Sequence, residues 1–150
     1  MNTKNLEELQ YWTNITSEKE AKEKIITHLD FDNRTNNDVK LILEHLNPTK
    51  NDFVIDFGCG IGRLMKPLSP YCGTILGIDI SETTLSYAAK FCEGIQNIMI
   101  APMQNDSYLE LNQEMADKIY SIIVLQHIEK PKILNLLYQF NKILKVGGQA

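Results

Sequence analysis

The sequence predicts an α/β domain built as a three-layer sandwich, in which helices cover both faces of a mostly parallel sheet. Strand-like apolar segments alternate with segments whose apolar residues recur at helical spacing, which is the order typical of βαβ units. The segment 118–126 is apolar almost throughout, as expected of a strand that is covered on both faces. A chain of 150 residues is long enough to form the core of one such domain.

The chain is predicted to divide into two parts. Residues 1–36 are assigned to an N-terminal helical segment, and residues 37–150 to the α/β domain. A helix is predicted to begin at Asn37 or Asp38, since both can act as N-caps after the turn-like stretch DFDNRTNN. Its expected apolar face consists of Val39, Ile42, Leu43 and Leu46.

The remaining elements follow in alternation. Strands are predicted at 53–57, 74–79, 97–100 and 118–126, and helices at 62–68, 82–92 and 131–145. Ser81 is expected to cap the second of these helices, and Gly147 and Gly148 to end the last. Because the chain ends where another parallel strand is expected, the domain is predicted to be incomplete, with an exposed edge on strand 118–126 available to an oligomer or a partner chain.

Composition restricts the classes of partner. The chain has 15 Lys+Arg against 19 Asp+Glu, a net charge of -4, and no basic block, so no nucleic-acid partner is expected. No segment reaches the ~20 apolar residues of a membrane span, so no membrane partner is expected either. Three scattered cysteines favour a reducing, cytoplasmic location, and the absence of a cluster with metal-ligand spacing predicts no metal.

The stretch FVIDFGCGIGRLM places three glycines directly after the first strand. Gly58, Gly60 and Gly62 allow the backbone to turn sharply into a helix and to approach a ligand closely. Their G-x-G-x-G spacing differs from the dinucleotide fingerprint and from the phosphate-binding Walker loop, both of which require glycine at Arg63. A nicotinamide-dependent oxidoreductase is therefore a less favoured alternative.

Two carboxylates accompany the glycine turn. Asp56 lies within the first strand, and Asp79 ends the second strand, where it can accept hydrogen bonds from two ribose hydroxyls. The other interpretation of Asp79 is a helix-capping acid beside Ser81. The glycines together with both acids favour a ligand that contains ribose.

Four segments in this order resemble the successive motifs of class I S-adenosylmethionine-dependent methyltransferases: VIDFGCGIGRL, GIDIS, IIVLQHIEKP and ILKVGG. The resemblance covers about 37–148 and implies a Rossmann-like methyltransferase fold with S-adenosyl-L-methionine as cofactor. It also implies a C-terminally truncated domain that lacks the later strands. By the same resemblance, residues 1–36, with Tyr11 and Trp12, form part of a lid over the cofactor or anchor the core.

The resemblance assigns cofactor-binding roles to residues of the glycine turn and of three strand ends. The turn residues, expected beneath the methionine part of the cofactor, are Gly58, Cys59, Gly60 and Gly62. Asp56 would orient that turn or the cofactor's amino group, Asp79 would bind the ribose hydroxyls and Ile80 would pack on the adenine. Gln104 or Asp106 would face the adenine amino group. Leu125 and Gln126 would line the cofactor at the end of the fourth strand.

Methyl transfer from a sulfonium is an in-line displacement, so alignment and exclusion of water are the main requirements. His127, at the expected end of the fourth strand, is the candidate general base, and a histidine that only packs there is the alternative. The segment LQHIEKP lacks the Asn/Asp-Pro-Pro-aromatic motif of many enzymes that methylate amino groups, which favours a small-molecule acceptor. A non-catalytic module that binds S-adenosylmethionine or another protein is the alternative function.

Overall fold

The computed structural model describes residues 10, 11, 14, 17, 19, 20, 31–103 and 113–150. Five strands form one sheet: β1 (Phe53–Phe57), β2 (Thr74–Asp79), β3 (Ile98–Pro102), β4 (Ala116–Tyr120) and β5 (Leu144–Gln149). Within residues 31–103 and 113–150, four helices accompany them: α1 (Phe31–Leu46), α2 (Met65–Leu68), α3 (Glu82–Phe91) and α4 (Lys130–Ile143). Short 3₁₀ helices follow α2 and β4, at Ser69–Tyr71 and Leu125–His127.

The sheet has the order β3-β2-β1-β4-β5, and all of its strand pairs are parallel. The chain first builds outward from β1 to β3 and then returns to the other side of β1. Because of this reversal, the connections that leave β1 and β4 run in opposite directions, and a crevice forms between them at the carboxyl ends of the strands. Ligands of open α/β sheets bind in this crevice. The topology therefore places the glycine turn, which follows β1, at this switch point.

Two apolar clusters cover the two faces of the sheet, which confirms the predicted three-layer α/β architecture. On one face, Val54 and Ile75 pack with Ile42 of α1 and with side chains of α2 and α3. On the other face, Ile55, Phe57, Leu76 and Ile78 pack against α4 through Leu136, Phe140 and Ile143. Successive residues of each strand face opposite layers of helices. Because both faces are covered, residues at successive positions of these strands are apolar.

The start of α1 corrects the prediction made from turn chemistry. The helix already includes Phe31, so neither Asn37 nor Asp38 caps it. Residues 31–37 of the stretch DFDNRTNN are helical because tertiary contacts of this segment, described below, outweigh its weak helix propensity. The expected apolar face is confirmed, since Ile42 is buried and Val39, Leu43 and Leu46 pack against the core. The proposed division at 36/37 falls inside this helix, and the lid role of residues 1–36 stays a prediction.

The C-terminal part corrects a second prediction. The fourth strand ends at Tyr120 rather than at 126, and Leu144–Gln149, expected to end the last helix, forms a fifth parallel strand beside β4. Both edges of β4 are therefore paired, with β1 and with β5, so the predicted exposed edge on 118–126 is wrong. Hydrogen bonds to β4 stabilise this segment as a strand. The two glycines gave no local signal of that pairing, because both are typical of a helix end.

Candidate functional site

The glycine turn after β1 has a backbone that only glycine adopts easily. Gly58, Gly60 and Gly62 have φ values of 78°, 54° and 80°, in the left-handed region that costs other L-residues free energy. The amides of Gly58 and Cys59 both donate to the carbonyl of Ile78, at 2.8 and 3.0 Å. These bonds join the turn to the end of β2 and fix its position above the sheet.

Val124, in the segment after β4, packs directly on this turn. A Cβ placed on Gly58 would lie 2.3 Å from Val124 Cγ2, well inside van der Waals contact. The segments that follow β1 and β4 thus meet at the switch point. Gly58 is required here both for its left-handed backbone and for this close approach.

Asp79 is fixed by hydrogen bonds from two segments. Its Oδ2 accepts from the Gly60 amide and its Oδ1 from the Ser81 amide, both at 2.9 Å. Burial raises the pKa of Asp79, while hydrogen bonds from the amides of Ser81, Gly60 and Ile80 act in the opposite direction. Ser81 rather than Asp79 caps α3, since its Oγ accepts from the Thr84 amide, which confirms the predicted cap.

Asp56 is the most unusual titratable group of the site. It is only 3% exposed, and no described residue donates a hydrogen bond to its Oδ2. Burial raises the pKa of Asp56 to about 7, and the neighbouring Asp79 adds to this effect, while Tyr120 and Arg63 partly offset it. The carboxyl group is thus poised to change its charge near neutral pH.

Tyr120 faces Asp56 from the end of β4, where the two residues are register partners. The hydroxyl is buried and lacks a partner of hydrogen-bond geometry among the described residues. The phenol nevertheless lies close enough to lower the pKa of Asp56. Burial and the nearby Asp56 raise the pKa of Tyr120 well above its usual value. Tyr120 therefore remains a neutral dipole beside this carboxyl group.

The segment after β4 carries three further predicted residues. Leu125, Gln126 and His127 form a 3₁₀ turn rather than the end of a strand, which corrects their expected position. Gln126 Nε2 lies 3.1 Å from His127 Nε2. Ile123, just before this turn, has a φ of 62°, an unusual value for a β-branched residue. The other two candidates, Gln104 and Asp106, lie outside the described residues.

Cys59 lies within the glycine turn with its sulfur directed into the protein. It is 7% exposed, and its Sγ would be 2.9 Å from a Cβ on Gly77 of β2. Burial raises the pKa of Cys59 well above its usual value, so the thiol stays protonated. The three cysteines are free and buried. Within the described ranges, no group of three or more His, Cys, Asp and Glu side chains could hold a metal ion.

Two residues of this region were not singled out by the sequence. Tyr120 could have been found by aligning strand ends, because parallel register brings it beside Asp56. In the sequence, Arg63 stands out only as the position at which two nucleotide-binding motifs require glycine. Its side chain is 5% exposed and forms an ion pair with Asp38 at 2.7 Å. A single cation inside the apolar segment IGRLM was the available signal of a buried ion pair.

No described helix is both long enough and apolar enough to cross a membrane.

Comparison with known proteins gives one family match, and it includes most of the sheet. A model described as "Methyltransferase domain" matches residues 54–148. The chain is 31% identical over 126 residues to a tRNA U34 carboxymethyltransferase of Vibrio cholerae, a match that covers 81% of this chain and 38% of the relative. It is 30% identical over 123 residues to a mitochondrial ubiquinone biosynthesis O-methyltransferase of Dictyostelium discoideum, covering 75% of this chain and 36% of the relative.

A further relative is a small RNA 2'-O-methyltransferase of Arabidopsis thaliana, 29% identical over 135 residues, which covers 71% of this chain and 14% of the relative. The chain therefore spans little more than a third of the length of the first two relatives. Among solved structures, phosphoethanolamine N-methyltransferase 1 of Haemonchus contortus, in complex with phosphoethanolamine and S-adenosylhomocysteine, superposes with a TM-score of 0.80 at 17% identity. That match covers 97% of this chain and 31% of the solved chain and supports the fold.

These relatives correct the expected partners. The prediction of no nucleic-acid partner is wrong, because relatives of this domain are named for tRNA and small RNA. The small-molecule acceptor stays a prediction. Net charge was a poor guide because binding to phosphates depends on local basic surfaces and not on the charge of the whole chain.

Proposed function

Because this chain belongs to the methyltransferase domain family, we propose that it binds S-adenosylmethionine at the glycine turn and that the protein transfers the methyl group to a nucleophile. The observation that supports this most strongly is the arrangement of three left-handed glycines at the switch point, tied to Asp79 through the Gly60 amide. Such a turn lets a ligand approach the backbone, and the carboxylate lies beside it.

The expected methyltransferase family and the expected cofactor, S-adenosylmethionine, are both confirmed. The methyltransferase domain model and the S-adenosylmethionine-dependent structural neighbours support a class I enzyme that uses S-adenosylmethionine. The alternative of a non-catalytic module is not favoured, because the matched relatives are named as enzymes that transfer a methyl or a carboxymethyl group.

We propose that two carboxylates divide the recognition of the cofactor. The Asp79 oxygens accept one backbone hydrogen bond each, and their remaining lone pairs can accept from the two ribose hydroxyls. Asp56, buried beneath the turn, supplies negative charge near the expected position of the methionine ammonium. Ile80, partly exposed just after β2, would pack on the adenine ring. The roles of Gln104 and Asp106 stay predictions.

The acceptor atom proposed here is a hydroxyl oxygen. Two of the relatives are named as O-methyltransferases, one for ubiquinone biosynthesis and one for the 2'-oxygen of small RNA. A hydroxyl becomes a better nucleophile when a base accepts its proton, and His127, partly exposed in the turn after β4, is the proposed base. Leu125 and Gln126 would line the same end of the site. A cytoplasmic location is also proposed, because the three cysteines are free and buried.

The first test is a calorimetric titration of the chain with S-adenosylmethionine, S-adenosylhomocysteine and NAD. Asp79→Ala is expected to weaken binding of the first two by at least about tenfold, since it removes two fixed acceptors. Glu93→Ala, which removes an exposed carboxylate outside the site, is the matched control and should bind as the wild type does. Preference for NAD, or no binding by the folded chain, would overturn the proposed cofactor site.

A second test concerns transfer to the acceptor. The protein is incubated with S-adenosylmethionine labelled in the methyl group and with either unfractionated tRNA or a catechol. Label in one acceptor identifies its class, and His127→Asn should reduce that transfer about a hundredfold without changing cofactor affinity. Equal transfer by the variant would remove His127 from the proposed mechanism.

A further inference from the structure

Arg63 is buried directly beside the glycine turn, and its side chain is hydrogen-bonded to helix α1. Its Nη2 donates to Asp38 Oδ2 at 2.7 Å, and its Nη1 donates to Thr35 Oγ1 at 3.3 Å. Asp38 and Thr35 lie one turn apart on α1, so both face the same guanidinium. Thr35 is itself oriented by donating to the Phe31 carbonyl. The planar guanidinium is thus held at two points.

The position of Arg63 in the chain makes this contact relevant to the site. It follows Gly62 directly and precedes α2, so its backbone continues the glycine turn. At 5% exposure it is a fully charged group with little access to water, and a buried cation of this kind is stable only while it is paired. The ion pair therefore joins the chain segment that follows Gly62 to α1.

Arg63 also acts on the charge of Asp56. The titratable groups that face Asp56 are Tyr120 of β4, Asp79 of β2, Arg63 and Cys59 of the turn, and Cys92 just after α3. Burial raises the pKa of Cys59, Cys92 and Tyr120, so these three are neutral at physiological pH. Asp79 is the acidic neighbour of Asp56, and Arg63 is the cation among these groups.

We infer that Arg63 is a positioning residue for cofactor binding, which holds the glycine turn against α1 through Asp38 and Thr35. The positive charge of Arg63 supplements this anchoring by acting on the carboxyl group of Asp56. This inference rests on the proposed function of the turn. It assigns α1 a part in cofactor affinity although the helix contributes no residue to the proposed cofactor contacts. The two contributions, anchoring and charge, can be separated by substitution.

Arg63→Met removes both contributions, Asp38→Asn removes the anchor but keeps the cation, and Arg63→Lys keeps the cation with a less suitable geometry. Affinity for S-adenosylmethionine and S-adenosylhomocysteine is measured by calorimetry across a pH series. Arg63→Met should bind both about tenfold more weakly, with the pH midpoint of binding moved upward. Asp38→Asn should weaken binding with little change of midpoint, and Arg63→Lys should restore the midpoint.

The matched control is Lys145→Met. It removes an ion pair of similar length, 2.8 Å to Asp117, between β5 and β4 and outside the proposed site. Its affinity and pH midpoint should equal those of the wild type. Carboxyl-carbon NMR of Asp56 in the free protein adds a readout without cofactor, and its titration should move upward in Arg63→Met only.

Unchanged affinity and midpoint in Arg63→Met and Asp38→Asn, with normal binding by the wild type, would overturn this inference and leave the proposed function intact. Equal losses in Lys145→Met would also overturn it, since the effect would then follow from any lost ion pair. If the wild type does not bind the cofactor, both proposals fail. Should Arg63→Met not fold, Asp38→Asn and Arg63→Lys decide the outcome.

Discussion

The turn that follows β1 and the segment that follows β4 meet at the same crevice, but they are held in different ways. In the first, the amides of Gly58, Cys59 and Gly60 have acceptors at the end of β2 and the unusual φ values occur at glycines. In the second, the unusual φ value occurs at Ile123, whose side chain is 42% exposed. The difference indicates that the glycine turn after β1 is held rigidly, whereas the segment after β4 is under backbone strain.

Asp56→Asn is expected to have the largest effect. The folded pKa of about 7 exceeds the unfolded value of 3.8, so the folded chain holds an extra proton between these values and its stability falls as the pH rises through this window. The loss reaches about 4 kcal/mol above about pH 7. Asparagine cannot ionise, so the variant avoids this loss of stability. Denaturant titrations should show a flatter pH dependence and a higher free energy of unfolding above about pH 7. Cofactor binding should be weaker.

Asp117→Asn is the comparison of opposite sign. Burial alone would raise the pKa of Asp117, but Lys145 and the Phe53 amide outweigh it and lower that pKa. The stability from this group is present above the unfolded pKa and is lost on acidification, so its variant should be less stable at neutral pH. If Asp56→Asn lowered stability at neutral pH as Asp117→Asn is expected to do, the account of a carboxyl group destabilised by burial would be wrong.

Gly58→Ala is expected to cost about 3 kcal/mol, because it combines a left-handed backbone with overlap on Val124. Gly94→Ala is the matched variant: its φ of +82° is similar, but nothing lies within 4 Å of the added Cβ. It should cost only the backbone term, about 1 kcal/mol. Urea denaturation of both variants measures the difference. Equal losses would show that Val124 does not pack on the turn.

Ile123→Asn is expected to raise stability by about 1 kcal/mol, since asparagine tolerates the left-handed region better than a β-branched residue does. Ile122→Asn, at a side chain that packs against the core, should instead lower the thermal midpoint. A loss of stability in Ile123→Asn as large as that in Ile122→Asn would contradict the strain assigned to the segment after β4.

Val146→Lys is expected to have the smallest effect on stability. Val146 lies on β5 with 94% of its surface exposed, so its replacement should change the free energy of unfolding by less than about 0.5 kcal/mol. A lysine on an edge strand also discourages association with other strands. Thermal denaturation and sedimentation velocity test both points. A large destabilisation would show that this side chain is covered in solution.

The sequence was sufficient where local pattern decides structure. The bounds of β1 and β2 and the Ser81 cap were predicted correctly, because apolar runs, the glycine turn and a capping hydroxyl are short-range signals. The last strand was missed because Lys145, Gly147 and Gly148 have little strand propensity, and pairing with β4 determines their conformation.

The charge state of the site was also beyond sequence pattern. Asp56 was identified as a candidate, but its pKa depends on burial and on Tyr120, Asp79 and Arg63, which come together only in the fold. The start of α1 was misplaced for a related reason. Its Thr35 and Asp38 have turn propensity, and their contact with Arg63, 25 or more residues away, is not visible locally.

The most direct test of the central claim is a two-dimensional ¹⁵N–¹H NMR titration of the chain with S-adenosylhomocysteine. If the turn after β1 is the cofactor site, the amides of Gly58, Gly60, Gly62 and Asp79 should shift together with one dissociation constant, and those of Gly94 and Gly147 should not move. Saturable shifts at β5, with the resonances of the three turn glycines unchanged, would contradict the account.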